Sequence, residues 1–97
     1  MRGAIACGAM AHILFYEYVA DIVERRGPHR EAHLARINQW RDEGKLVLAG
    51  AMGKPPHGAA IVFDVDDPAE VERFADEDPY VIAELVAERR IEPIALV

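Results

Sequence analysis

Two side chains in this sequence have the type and placement for proton chemistry, His33 and Asp78. His33 stands in the run Arg30-Glu31-Ala32-His33-Leu34, inside a helical pattern from about His29 to Glu43. At 100° per residue, Ile37 and Trp40 fall within about 40° of it, which puts the imidazole on the stripe that should face the core. Arg30 lies one turn earlier on the same side. An imidazole there needs a partner, because a buried polar group left unsatisfied costs roughly 1–3 kcal/mol. Asp78 precedes Pro79. Continued from the helix before it, Asp78 falls within about 20° of Val71 and near Phe74, again on the inward side.

Each residue also has a plain alternative. His33 suits a core histidine bonded to a backbone carbonyl or a water, and Asp78 suits a turn residue accepting local N–H groups. A His–Asp pair would satisfy both polar groups at once. The carboxylate would hold the imidazole in one tautomer and raise its basicity, which is how a general base is oriented.

Other chemistries find little support. The chain contains no serine or threonine, which excludes nucleophilic catalysis by either. Its one cysteine, Cys7, excludes a disulfide framework and reads as an ordinary thiol. His29 and His33 lie four apart, but with no obvious third ligand a metal site is not expected. His57, between Pro56 and Gly58, reads as a solvated loop residue, and residues 50–54 lack the spacing of a phosphate loop. No cofactor is expected. Arg30 could steer an anionic group, and Tyr16, Trp40 and Tyr80 could line an apolar pocket, although each aromatic suits a core equally well.

The elements that must position these residues follow from local signals. Ile13 to Val19 is aromatic and β-branched, as a buried strand requires. Ala20 to Pro28 reads as a connector with room for a helical turn, and Gly44 as the residue that ends the first helix. Lys45 to Ala51 and Ala59 to Val65 read as strands joined by the turn at 53–58. Asp67 as N-cap, Pro68 at the first helical position and Glu70 at the capping-box position announce a second helix. It should stop near Asp78, since a residue before proline avoids the helical region. Tyr80 to Leu85 suits a short turn, and Glu88 to Val97 a last strand kept at an edge by Pro93.

The order β-α-β-β-α-β predicts an α+β, ferredoxin-like fold, a four-stranded antiparallel sheet with the helices on one face. The strands are apolar at nearly every position, whereas a sheet with one wet face should alternate. A homodimer formed through the open face is therefore expected. At 97 residues the chain is one domain, read here as residues 12–97, and a cleft between domains is excluded. Residues 1–11 read as a frayed leader or an upstream start rather than a secretory signal, being short and weakly apolar. Eleven basic against seventeen acidic residues give a net charge of −6, and the absence of a basic block argues against nucleic acid as a partner. No apolar run reaches transmembrane length, and one cysteine fits a cytoplasmic protein.

Three segments together resemble the YciI-like (YCII-related) family. They are Arg30-Glu31-Ala32-His33-Leu34, Glu43-Gly44-Lys45-Leu46-Val47-Leu48-Ala49-Gly50-Ala51, and Phe74-Ala75-Asp76-Glu77-Asp78-Pro79-Tyr80. The resemblance runs from about His12 to Val97. It implies a ferredoxin-like subunit of a dimeric α+β barrel, with an active site built on His33 and Asp78. A few such relatives act in aromatic-compound degradation, one as a dehydrochlorinase, and related barrels include isomerases and small monooxygenases. Two functions then compete. One is a small cofactor-independent enzyme of lyase, isomerase or dehydrochlorinase type, in which His33 moves a proton on a cyclic or aromatic-derived metabolite. The other is a non-catalytic ligand-binding or interaction module in which the same pair is structural.

Overall fold

A computed structural model describes residues 10–97. Residues 1–9, which include Cys7 and most of the expected leader, lie outside the described residues. The elements run β1 (Met10–Tyr18), α1 (Ile22–Arg25), α2 (Gly27–Asp42), β2 (Leu46–Met52), β3 (Gly58–Phe63), α3 (Pro68–Asp76), α4 (Pro79–Ile82) and β4 (Val86–Ala95). All pairings are antiparallel, in the order β2-β3-β1-β4. This is the ferredoxin-like α+β arrangement. No described helix is long and apolar enough to cross a membrane.

Register decides which residues meet the helices. Leu14 lies opposite Ile61 on β3 and Ile91 on β4, while Tyr16 lies opposite Ala59 and Arg89. That face carries the core, where Leu14, Tyr16, Ile61 and Phe63 pack with Ile37 and Trp40 of α2 and Val71 and Phe74 of α3. Ile13, Phe15 and Val62 point to the other face. A register shift between Leu46 and Leu48 turns Leu46 into the core and leaves Leu48 53% exposed. Pro93 sits on β4, an edge strand, where its missing N–H costs no ladder bond.

Element ends follow the expected signals to within a few residues; β4, for one, runs Val86–Ala95 where the sequence predicts Glu88 to Val97. β1 starts at Met10 rather than at Ile13, and it carries Ala11, fully buried, opposite Ile94. α2 starts at Gly27, two residues early, because Pro28 fits the first helical turn. Glu70 does not close a capping box; its carboxylate lies 3.3 Å from Lys45 Nζ. Asp67 caps α3 as expected, accepting the Ala69 N–H at 2.9 Å. Gly44 (φ +79°) ends α2, its N–H donating to the Arg41 carbonyl while Lys45 N–H donates to that of Trp40. That pair of bonds is the Schellman ending, which favours glycine at the left-handed position.

Candidate active site

α2 is a polar helix that buries only His33, Ile37 and Trp40, spaced so that all three face the sheet. Asp78 comes from the other helical crossover. Pro79 holds Asp78 in extended backbone (φ −69°, ψ 125°), so α3 ends before it and α4 begins after it. Asp78 is therefore an N-cap, and its Oδ1 accepts the Tyr80 N–H at 3.0 Å. The same oxygen is 2.8 Å from His33 Nδ1. Oδ2 accepts the Tyr16 hydroxyl at 2.8 Å. The turn role and the pairing with histidine thus belong to one carboxylate.

These contacts fix the protons. A carboxylate with no hydrogen of its own accepts only, so His33 Nδ1 must donate. In the neutral imidazole Nε2 then keeps its lone pair; it makes no hydrogen bond among the described residues and belongs to a ring that lines a cavity. Asp78 is 0% exposed, Tyr16 1% and His33 5%, so the cluster is almost dry. Burial, then the Asp78 charge and the hydrogen bond to it, hold the Tyr16 hydroxyl far above the ordinary tyrosine value. Tyr16 stays a neutral donor. Tyr80 stacks on the imidazole, with ring centroids 3.7 Å apart and planes within 4°.

The cavity measures about 230 Å³ and lies between α2 and strands β2 and β3. Its space comes from small side chains, since Ala49, Ala51 and Ala59 stand where strands usually carry larger residues. His33, Tyr80 and Arg30 line it. Tyr16 does not, because its hydroxyl lies behind the histidine on Asp78. Trp40 corrects the sequence reading more sharply. Its indole packs edge-on against Phe63 and Phe74, at 5.8 and 5.1 Å between centroids, away from the cavity. Leu34 is 40% exposed and lines the cavity wall.

Sequence reading missed Tyr18, Arg26, Asn38 and Arg41, all of which line the cavity. Helical spacing carried a signal for two of them, since Asn38 and Arg41 follow Arg30 by eight and eleven residues along one side of α2. Tyr18 is pushed up to about 12, mainly by burial and then by Tyr80 and Asp78, against the opposing charges of Arg26 and Arg30. Among the described residues, no group of three or more His, Cys, Asp or Glu is placed to hold a metal ion.

The class is that of small ferredoxin-like α+β proteins, here with a buried Tyr–Asp–His cluster beside a helix–sheet cavity. Within it, the chain belongs to the YCII-related domain family, whose model matches residues 10–95. It is 30% identical over 93 residues to Protein YciI of Escherichia coli O6:H1, covering 87% of this chain and 95% of that one. Among solved structures it resembles 5-chloro-2-hydroxyhydroquinone dehydrochlorinase (TftG) from Burkholderia phenoliruptrix, in complex with 2,5-dihydroxybenzoquinone. That match has a TM-score of 0.73 and 21% identity, covering 84% of this chain and 90% of that one. A dimeric ferredoxin-like protein of unknown function from Thermobifida fusca matches with a TM-score of 0.54 and 15% identity, over 99% and 100% of the two chains. At these identities the two structures speak for the fold.

Proposed function

We propose that this protein is a small cofactor-independent enzyme that moves a proton on a cyclic or aromatic-derived metabolite. His33 Nε2 takes a proton from a substrate C–H or O–H, the imidazolium is balanced by Asp78, and after exchange with solvent His33 delivers a proton to the substrate or to a leaving group. Asp78 and Tyr16 are positioning residues that act through His33. The carrying observation is the 2.8 Å contact between His33 Nδ1 and Asp78 Oδ1, which leaves Nε2 as the acceptor in a cavity-lining ring. The proposal includes a homodimer through the open sheet face, supported by the exposed Leu48 and by a structural relative described as dimeric.

A second reading, a ligand-binding module with a structural His–Asp pair, is favoured by the low exposure of His33 and by the tyrosine covering one face of its ring. Exchange in D₂O separates the two. A panel of cyclic keto and enol acids, followed by proton NMR, should show deuterium entering an acidic C–H at least about 100-fold above background, the usual scale of general-base catalysis. His33→Ala should abolish it. Equal exchange with wild type and His33→Ala would leave only the binding reading.

A further inference from the structure

The cavity wall carries a charge opposite to that of the molecule. The chain is at −6, yet the described residues lining the cavity include three arginines and no carboxylate. Elsewhere, Arg25, Arg36, Arg73, Arg89 and Arg90 each face an acidic side chain. The described arginines without such a partner are Arg26, Arg30 and Arg41, the three in this wall. Arg41 is tied to the Asn38 amide oxygen at 2.9 Å. Arg26 and Arg30 form no hydrogen bond or ion pair among the described residues.

Position separates this pair from the third arginine. Arg26 and Arg30 are four residues apart in helical backbone, so their Cβ atoms are about 5–6 Å apart on one side. Arg30 and His33 are three apart and are neighbours in the same sense. Arg41 lies eleven residues beyond Arg30, about 16 Å along the axis. Both free guanidinium groups act on the Tyr18 hydroxyl, a further donor on the same wall. Two unpaired forks and a phenol beside a base make a carboxylate-binding set. Ile37, Ile61 and Ala59 supply an apolar part of the lining, and about 230 Å³ is below the range of about 300–1,000 Å³ typical for larger ligands. One ring fills it.

From this wall we infer that Arg26 and Arg30 form a carboxylate subsite, and that the cavity takes a single-ring carboxylic acid with the carboxylate one helical turn from His33. That the bound acid is a substrate rests on the acid–base reading above; the subsite does not.

The probes are benzoate, benzamide and inorganic phosphate, titrated into the full-length protein by calorimetry and NMR at fixed ionic strength. Benzoate should bind and shift the Arg30 and His33 side-chain resonances, and benzamide should bind at least about tenfold more weakly. Arg26→Gln and Arg30→Gln should each weaken benzoate about tenfold or more, with Arg30→Lys between them and wild type. Arg41→Gln should stay within about threefold, being remote from the pair. Added salt should weaken benzoate binding. Equal affinity for benzoate and benzamide, phosphate binding as tight as benzoate, no effect of either Gln variant, or no benzoate binding would overturn the subsite. Benzoate binding without D₂O exchange on ring carboxylates would sink the acid–base reading and leave the subsite standing. Exchange without benzoate binding would do the reverse.

Discussion

Tyr80 lies flat on the His33 imidazole, 3.7 Å between centroids, and its backbone N–H holds the same carboxylate oxygen that His33 contacts. One residue thereby sets both the plane of the imidazole and the position of its partner. The ring serves this purpose but its hydroxyl does not, since that atom is buried with no hydrogen-bond partner among the described residues. Tyr80→Phe should keep the stack and relieve an unsatisfied group, leaving stability unchanged or higher by about 1 kcal/mol. Urea denaturation measures this directly. A loss above about 1 kcal/mol would mean that the hydroxyl is bonded in solution.

Asp78 should be the least replaceable residue of the cluster. Its carboxylate satisfies three donors, two from buried side chains and one from the backbone. Asp78→Ala leaves all three without an acceptor and should cost at least about 3 kcal/mol. Asp78→Asn should cost less, because its oxygen can still accept from His33 while its amide donates to the Tyr16 oxygen. Equal losses for the two variants would show that shape, not hydrogen bonding, matters at this position.

Alkaline pH should reveal the two inner tyrosines. Burial and the Asp78 charge raise Tyr16, and burial with Tyr80 and Asp78 raises Tyr18 to about 12. The unfolded chain ionises tyrosine near 10, so the folded state holds these protons more tightly. Their stabilisation is complete below about pH 10 and fades as pH climbs through the folded values. Urea midpoints should therefore fall above about pH 10, and less steeply in Tyr16→Phe. A flat profile up to pH 12 in wild type would contradict the burial of these hydroxyls.

The elements were readable where signals are local. Asp67-Pro68 begins a helix and Gly44 ends one because capping and left-handed backbone are decided within a turn. His33 and Asp78 were readable because both have inward positions and few polar groups tolerate burial alone. Trp40 shows where such reading stops. Helical angle gives the direction of a side chain but not what lies there, and Trp40 sits seven residues, about 10 Å, further along the axis than His33. At that level the partners are Phe63 and Phe74, not a cavity. Tyr16 is the strand counterpart, inward as expected, with its hydroxyl already bonded to Asp78. Arg26 was hidden because its place on the cavity depends on the turn of α1, and a charged connector does not disclose that.

The open sheet face should mediate assembly. Light scattering should give about twice the chain mass at micromolar concentration, since soluble monomers seldom expose an apolar patch above a few hundred Å². Leu48→Asp changes an already exposed side chain, so the subunit should stay folded while the dimer weakens. A monodisperse wild-type monomer would remove the dimer from the proposal.

In the proposed mechanism Asp78 holds the proton on His33 Nδ1 and leaves Nε2 to accept one. Two-bond proton–nitrogen correlation on ¹⁵N-labelled protein, with the imidazole neutral, reports which ring nitrogen is protonated. The expected result is a protonated Nδ1 and a bare Nε2 that shifts when benzoate enters the cavity. A proton on Nε2 would contradict it, because that nitrogen would then have no lone pair with which to act as a base.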